Sequence, residues 1–96
     1  MSEVIDQAVQ AIAGRMQGQS FEGTAKFVLP GEGAIMLAGG EVRAGDEPAD
    51  VTLTADTDTF RAILDGDTNP TAAFMTGKLS VDGDMGKALA LAGILA

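Results

Sequence analysis

Residues 69–95 read NPTAAFMTGKLSVDGDMGKALALAGIL. Asn69-Pro70 opens a short helix, because the fixed φ and missing N–H of proline suit the first helical position. Phe74 and Met75 lie in that helix and Gly77 ends it. Residues 78–82 then alternate, with Leu79 and Val81 facing inward from a strand. Gly83-Asp84 turns the chain into a last helix over about 85–95. Its only charge is Lys87, and it is apolar nearly all round. Such a helix is buried, meets another apolar surface or touches an apolar ligand. It is too short to cross a bilayer, which takes ~20 residues.

Upstream of this stretch, residues 49–55 alternate Val51, Leu53 and Ala55 against Thr52 and Thr54, the pattern of a half-buried strand. Asp56 is placed to cap a short helix that runs to about Asp65 and stops at Gly66. Its apolar stripe is Phe60, Ile63 and Leu64. Residues 20–29 also have period two, with Phe21, Ala25, Phe27 and Leu29 on one face. Pro30-Gly31-Glu32-Gly33 is a turn cluster. Residues 34–38 (AIMLA) form a strand that is apolar on both faces, and Gly39-Gly40 leads to a short strand over 41–44. At the start, residues 3–17 form an amphipathic helix with Ser2 as N-cap and the stripe Ile5, Val9, Ile12 and Met16. The predicted order is α-β-β-β-β-α-α-β-α. Hairpin-linked strands first and clustered helices later place the chain in the α+β class, as one domain over residues 1–96.

Composition narrows the chemistry. The 96 residues contain no His, Cys, Trp or Tyr. That excludes disulfides, thiolate nucleophiles, Ser-His-Asp triads and His or Cys metal sites. Lys+Arg is 6 and Asp+Glu is 14, a net charge of -8. This balance argues against nucleic acid, which needs a basic surface. The chain starts without the basic n-region of a signal peptide, and its end, Ile94-Leu95-Ala96, matches no sorting tripeptide. The expected location is cytoplasmic.

The polar motifs favour structural roles. Asp65, Asp67 and Asn69 have the spacing of a calcium loop, but Pro70 replaces the required Gly and Thr76 the bidentate Glu. Asp56 with Asp58, and Asp82 with Asp84, lie beside caps and turns, where Asp competes well for backbone N–H groups. Gly77-Lys78 resembles the end of a phosphate-binding loop, but Ala72 stands at its first Gly and Leu79 at its Ser/Thr. Gly31-x-Gly33 fails the dinucleotide pattern at Met36. Ser2, Ser20 and Ser80 have no base to activate them. No cofactor and no catalytic residue is expected. Met16, Met36, Met75 and Met85 are flexible apolar side chains, suited either to core gaps or to an adaptable apolar site.

Residues 49–91 resemble the sterol carrier protein-2 family of lipid-binding domains, in a small bacterial-type form. The likeness runs from Ala49-Asp50-Val51-Thr52-Leu53-Thr54 through Asp58-x-Phe60 and a helix ending at Gly66. It continues in Asn69-Pro70-x-x-Ala73-Phe74-Met75-x-Gly77-Lys78-Leu79 and closes with Val81-x-Gly83-Asp84-Met85-Gly86-x-Ala88-Leu89-x-Leu91. The resemblance implies one five-stranded, mostly antiparallel sheet of order 3-2-1-4-5, covered on one face by helices. It also implies a hydrophobic tunnel for sterols, fatty acyl chains or isoprenoid-like lipids, and no catalytic groups. Phe74, Met75, Met85 and Leu89 are the motif positions expected to line or close the tunnel. Gly77, Gly83 and Gly86 are expected at turns and close contacts. Periodicity adds Phe27, Leu29, Ile35, Phe60 and Leu64 as candidate ligand-binding residues.

Two functions follow. The first is non-catalytic binding and carriage of an apolar lipid. The alternative is an interaction module with no open tunnel, using residues 85–96 to meet a protein partner or a second copy in a weak homodimer.

Overall fold

A computed structural model of the chain describes residues 3–95, so the Ser2 cap lies outside the described residues. The elements follow the predicted order: α1 (Glu3–Met16), β1 (Thr24–Leu29), β2 (Gly33–Ala38), β3 (Glu41–Ala44), β4 (Val51–Ala55), α2 (Thr57–Asp65), α3 (Pro70–Met75), β5 (Leu79–Gly83) and α4 (Met85–Leu95). The five strands form one sheet of order β3-β2-β1-β4-β5. β1 pairs with β4 in parallel, and the other three pairings are antiparallel.

Register aligns the apolar positions in rows. Phe27 lies opposite Ile35 and Leu53, and Leu53 lies opposite Val81. Ala25 lies opposite Leu37 and Val51. These side chains share one face, because alternate residues of a strand point the same way. The helices cover that face. α1 packs on β2 and β3, while α4 packs on β4 and β5 and touches α1. α2 sits over the middle, where the Phe60 ring meets Phe27 with centroids 5.7 Å apart.

Local chemistry sets the helix ends. The Asp56 carboxylate accepts the Thr59 N–H at 2.7 Å. The Asn69 side-chain oxygen accepts the N–H groups of Thr71 and Ala72 at 2.8 and 3.2 Å, ahead of Pro70. The Asp84 carboxylate accepts the Lys87 N–H at 3.0 Å. Gly66 ends α2 with φ 85°, a conformation that costs other residues a clash at Cβ. Asp58 lies in the first turn of α2 and Asp82 in β5.

Three details differ from the sequence reading. β1 begins at Thr24 rather than residue 20, although Phe21 is buried ahead of it. β4 begins at Val51, because Asp50 is occupied with Thr24: its N–H reaches the Thr24 hydroxyl and its carboxylate accepts the Thr24 N–H, both at 3.0 Å. On α1, Ala8 is buried with Ile5, Ile12 and Met16, while Val9 is only half-buried. The two-faced apolarity of β2 also has a tertiary cause. β3 is an edge strand and β4 lies beyond β1, so the connection must cross the sheet. It does so over the helix-free face, where Asp46 pairs with Lys26 of β1 at 2.9 Å. Ala34 and Met36 are buried there.

Candidate functional site

An apolar groove of about 220 Å³ lies between the sheet and the last two helices. Its floor is Leu53 of β4 with Leu79 and Val81 of β5. One wall is α3, with Pro70, Thr71, Phe74 and Met75. The other is α4, with Met85, Ala88, Leu89, Ala92 and Leu95. No charged side chain lines it, and Thr71 supplies the only side-chain hydroxyl.

The all-round apolarity of α4 follows from its two neighbours. Ala88, Leu91, Ile94 and Leu95 are buried in the core, whereas Met85, Leu89 and Ala92 step by four and three along the groove. The helix is thus half core and half groove wall. Phe74, Met75, Met85 and Leu89 are the large apolar side chains left exposed among the described residues, at 41, 79, 48 and 66%. All four line this groove. One contiguous apolar patch on a small acidic protein has a meaning that scattered exposed side chains lack.

The turns that hold the walls are glycine-dependent. Gly77 (φ 80°) follows α3 and lets the Lys78 N–H reach the Ala73 carbonyl at 2.9 Å. Gly83 (φ 103°) passes close to β4, where an added Cβ would lie 2.4 Å from the Asp50 carbonyl oxygen. Gly86 lies in the first turn of α4, where a Cβ would lie 3.2 Å from the Asp84 carboxylate.

A second groove, of about 190 Å³, lies between α1 and α2. Leu29, Phe60 and Leu64 line it together with Ala8 and Ala11, and its rim carries Arg61 and Asp65. The Arg61 guanidinium donates to Gln7 at 3.4 Å. The structure therefore divides the candidate residues into three groups. Phe74, Met75, Met85 and Leu89 meet in the α3–α4 groove. Leu29, Phe60 and Leu64 face the α1–α2 groove. Phe27 and Ile35 line neither and are sealed in the core at 1 and 0% exposure. Sequence reasoning passed over Leu53, Leu79, Val81 and Leu95 as site residues. The inward alternation of Leu79 and Val81 was the available signal.

Titration is peripheral to both grooves' apolar walls. The Asp56 carboxyl is held below its ordinary value by the Thr59 N–H, with Lys78 adding to the effect. The Arg43 guanidinium is raised by its hydrogen bonds to Glu47. Among the described residues, no group of three or more Asp or Glu side chains is placed to hold a metal ion. No described helix is long and apolar enough to cross a membrane.

Comparison with known proteins places this geometry. Hydroxysteroid dehydrogenase-like protein 2 of Xenopus tropicalis is 36% identical over 96 aligned residues, which cover 92% of this chain and 23% of that protein. The Fatty acid-binding protein of Yarrowia lipolytica is 47% identical over 47 residues, 49% of this chain and 36% of that protein. The chain thus spans about a quarter to a third of the length of these curated relatives. Among solved structures, Sterol Carrier Protein-2 from Aedes aegypti, in complex with a C16 fatty acid, superposes with a TM-score of 0.78 at 24% identity, over 100% of this chain and 97% of that one. The model of the SCP-2 sterol transfer family matches residues 4–96. With the five-stranded mixed sheet, its helical cover and the order of elements all in agreement, the chain belongs to the SCP-2 sterol transfer family.

Proposed function

We propose that this chain binds a hydrophobic lipid, of sterol, fatty acyl or isoprenoid-like type, in the α3–α4 groove and carries it without catalysis. One observation carries the reading: Phe74, Met75, Met85 and Leu89 are exposed and converge on one apolar groove. Covering them with a ligand recovers about 0.8 kcal/mol per buried methylene, with no polar partner required. Membership of a lipid-transfer family and the name of the Yarrowia relative support the same reading. At about 220 Å³ the groove is smaller than the ~300–1,000 Å³ of most ligand pockets. A whole lipid therefore enters by displacing a wall, and α4, which carries Met85, Leu89 and Ala92 along the groove, is the wall that moves.

The test is native mass spectrometry of freshly purified protein, followed by titration with Nile red, an uncharged fluorescent probe of apolar sites. A co-purifying lipid mass and saturable one-to-one binding are expected, and Leu89→Glu should abolish the binding while the fold persists. A clean apo mass without saturable binding, together with concentration-dependent size in light scattering, would favour the interaction-module reading instead. That reading rests on the same exposed face, with Met75 at 79% and Leu89 at 66%.

A further inference from the structure

We infer that the α3–α4 groove selects uncharged lipids over their carboxylates. The inference rests on the lipid-binding reading and specifies the ligand class. A buried carboxylate is stabilised by a fixed cation near its headgroup, and no side chain lining the groove supplies one. No Lys or Arg lines it. Lys87, the one charged residue of α4, has its stem over Gly23 on the opposite side of the helix. Both helices that form the walls begin with a side-chain cap, Asn69 on α3 and Asp84 on α4. The Asp84 carboxylate already sits at the positive end of α4, where an anionic headgroup would otherwise gain.

The overall field acts in the same direction. The net charge is -8 and the molecule is 28 Å across its middle axis. A headgroup at the groove mouth thus lies about 14 Å, half that extent, from the charge centre. Coulomb repulsion in water, screened over ~30 Å at ~0.01 M salt, weakens a monoanion by about 10-fold; screened over ~8 Å at ~0.15 M it weakens it by about 2-fold. An alcohol or ester with the same chain feels neither. The α1–α2 groove differs in having a cation on its rim, Arg61, beside the carboxylate of Asp65.

The experiment is displacement of Nile red from the whole protein at pH 8 by dodecan-1-ol and by dodecanoate, at ~0.01 M and ~0.15 M salt. The alcohol should bind about 10-fold tighter at low salt, and the gap should narrow to about 2-fold at the higher salt. Dodecanoate binding as tightly as the alcohol at low salt, or more tightly, in both the wild type and Arg61→Gln overturns the inference while lipid binding stands. If Arg61→Gln instead removes that advantage, the carboxylate belongs to the α1–α2 groove. If neither ligand nor Nile red binds, the lipid-binding reading falls and this inference with it.

Discussion

Leu89→Ala and Leu91→Ala remove the same atoms two residues apart on one helix, yet the structure gives them opposite consequences. Leu91 is 0% exposed and belongs to the core cluster. Its truncation loses the transfer free energy of the side chain and leaves a cavity, together about 3 kcal/mol. At 4–8 °C per kcal/mol for a domain of this size, the melting temperature should fall by roughly 12–24 °C. Total stability of ~5–14 kcal/mol for a chain of this length leaves the variant folded. Leu89 is 66% exposed, so only about a third of its side chain is buried. Its truncation should cost about 0.5–1 kcal/mol of stability. It should instead remove about 1–2 kcal/mol of ligand contact, a weakening of Nile red affinity by about 5- to 30-fold. Urea titration followed by far-ultraviolet circular dichroism measures the first quantity in each variant. Probe titration measures the second, without interference from Trp or Tyr, which the chain lacks. Equal destabilisation by the two variants would mean that Leu89 packs in the core and the groove is closed in solution. Unchanged affinity in Leu89→Ala would remove α4 from the binding surface.

Other outcomes follow from the caps, the turns and the helix ends. The Asp56 carboxyl titrates below its ordinary value of 3.8 in the folded protein, chiefly because of the Thr59 N–H. Its contribution to stability is therefore present above pH 3.8 and is lost as the pH falls through the folded value. Asp56→Asn keeps an acceptor for Thr59 but cannot titrate, so urea midpoints measured between about pH 2.5 and 5 should fall less steeply than in wild type; an unchanged slope would discount the cap as the source. Gly83→Ala forces a Cβ to 2.4 Å from the Asp50 carbonyl at φ 103°, and should cost about 2 kcal/mol or more. Gly93→Ala meets no atom within 4 Å inside a helix and should gain about 0.5–1 kcal/mol; reversed order of the two urea midpoints would contradict the backbone described here. Finally, α4 amides should gain protection from hydrogen exchange when Nile red binds. If they exchange as slowly as β1 amides beforehand and do not change, α4 is not the wall that moves.

Much of the fold was legible because its signals are local. The alternation of Ala25, Phe27 and Leu29, the Asp56 and Asn69 caps and the Gly66 stop depend on a few neighbouring residues, and each appears where the pattern placed it. Boundaries were less legible where a distant partner intervenes. Asp50 reads as the start of a strand, but it is taken by Thr24, 26 residues away. Phe27 and Phe74 are both apolar positions in good patterns, yet one is sealed beneath Phe60 and the other opens on the groove. Periodicity reports which side chains share a face and is silent on what that face meets.

By itself the sequence determined the kind of chemistry available: the lack of His and Cys excludes Ser-His-Asp triads, thiolate nucleophiles and His or Cys metal sites, and apolar surface is ample. It also determined the elements and their order, since caps, turns and hydrophobic periods act within a few residues. Strand order was legible only through the resemblance to a known family. Tertiary structure alone decided the parallel pairing of β1 with β4, the crossing of residues 45–50 that buries Met36, and the division of α4 between core and groove. Each of these depends on contacts between segments far apart in the chain. An apolar side chain is driven out of water in any of those settings, so its identity does not reveal whether a neighbouring strand, a crossing loop or a bound lipid covers it.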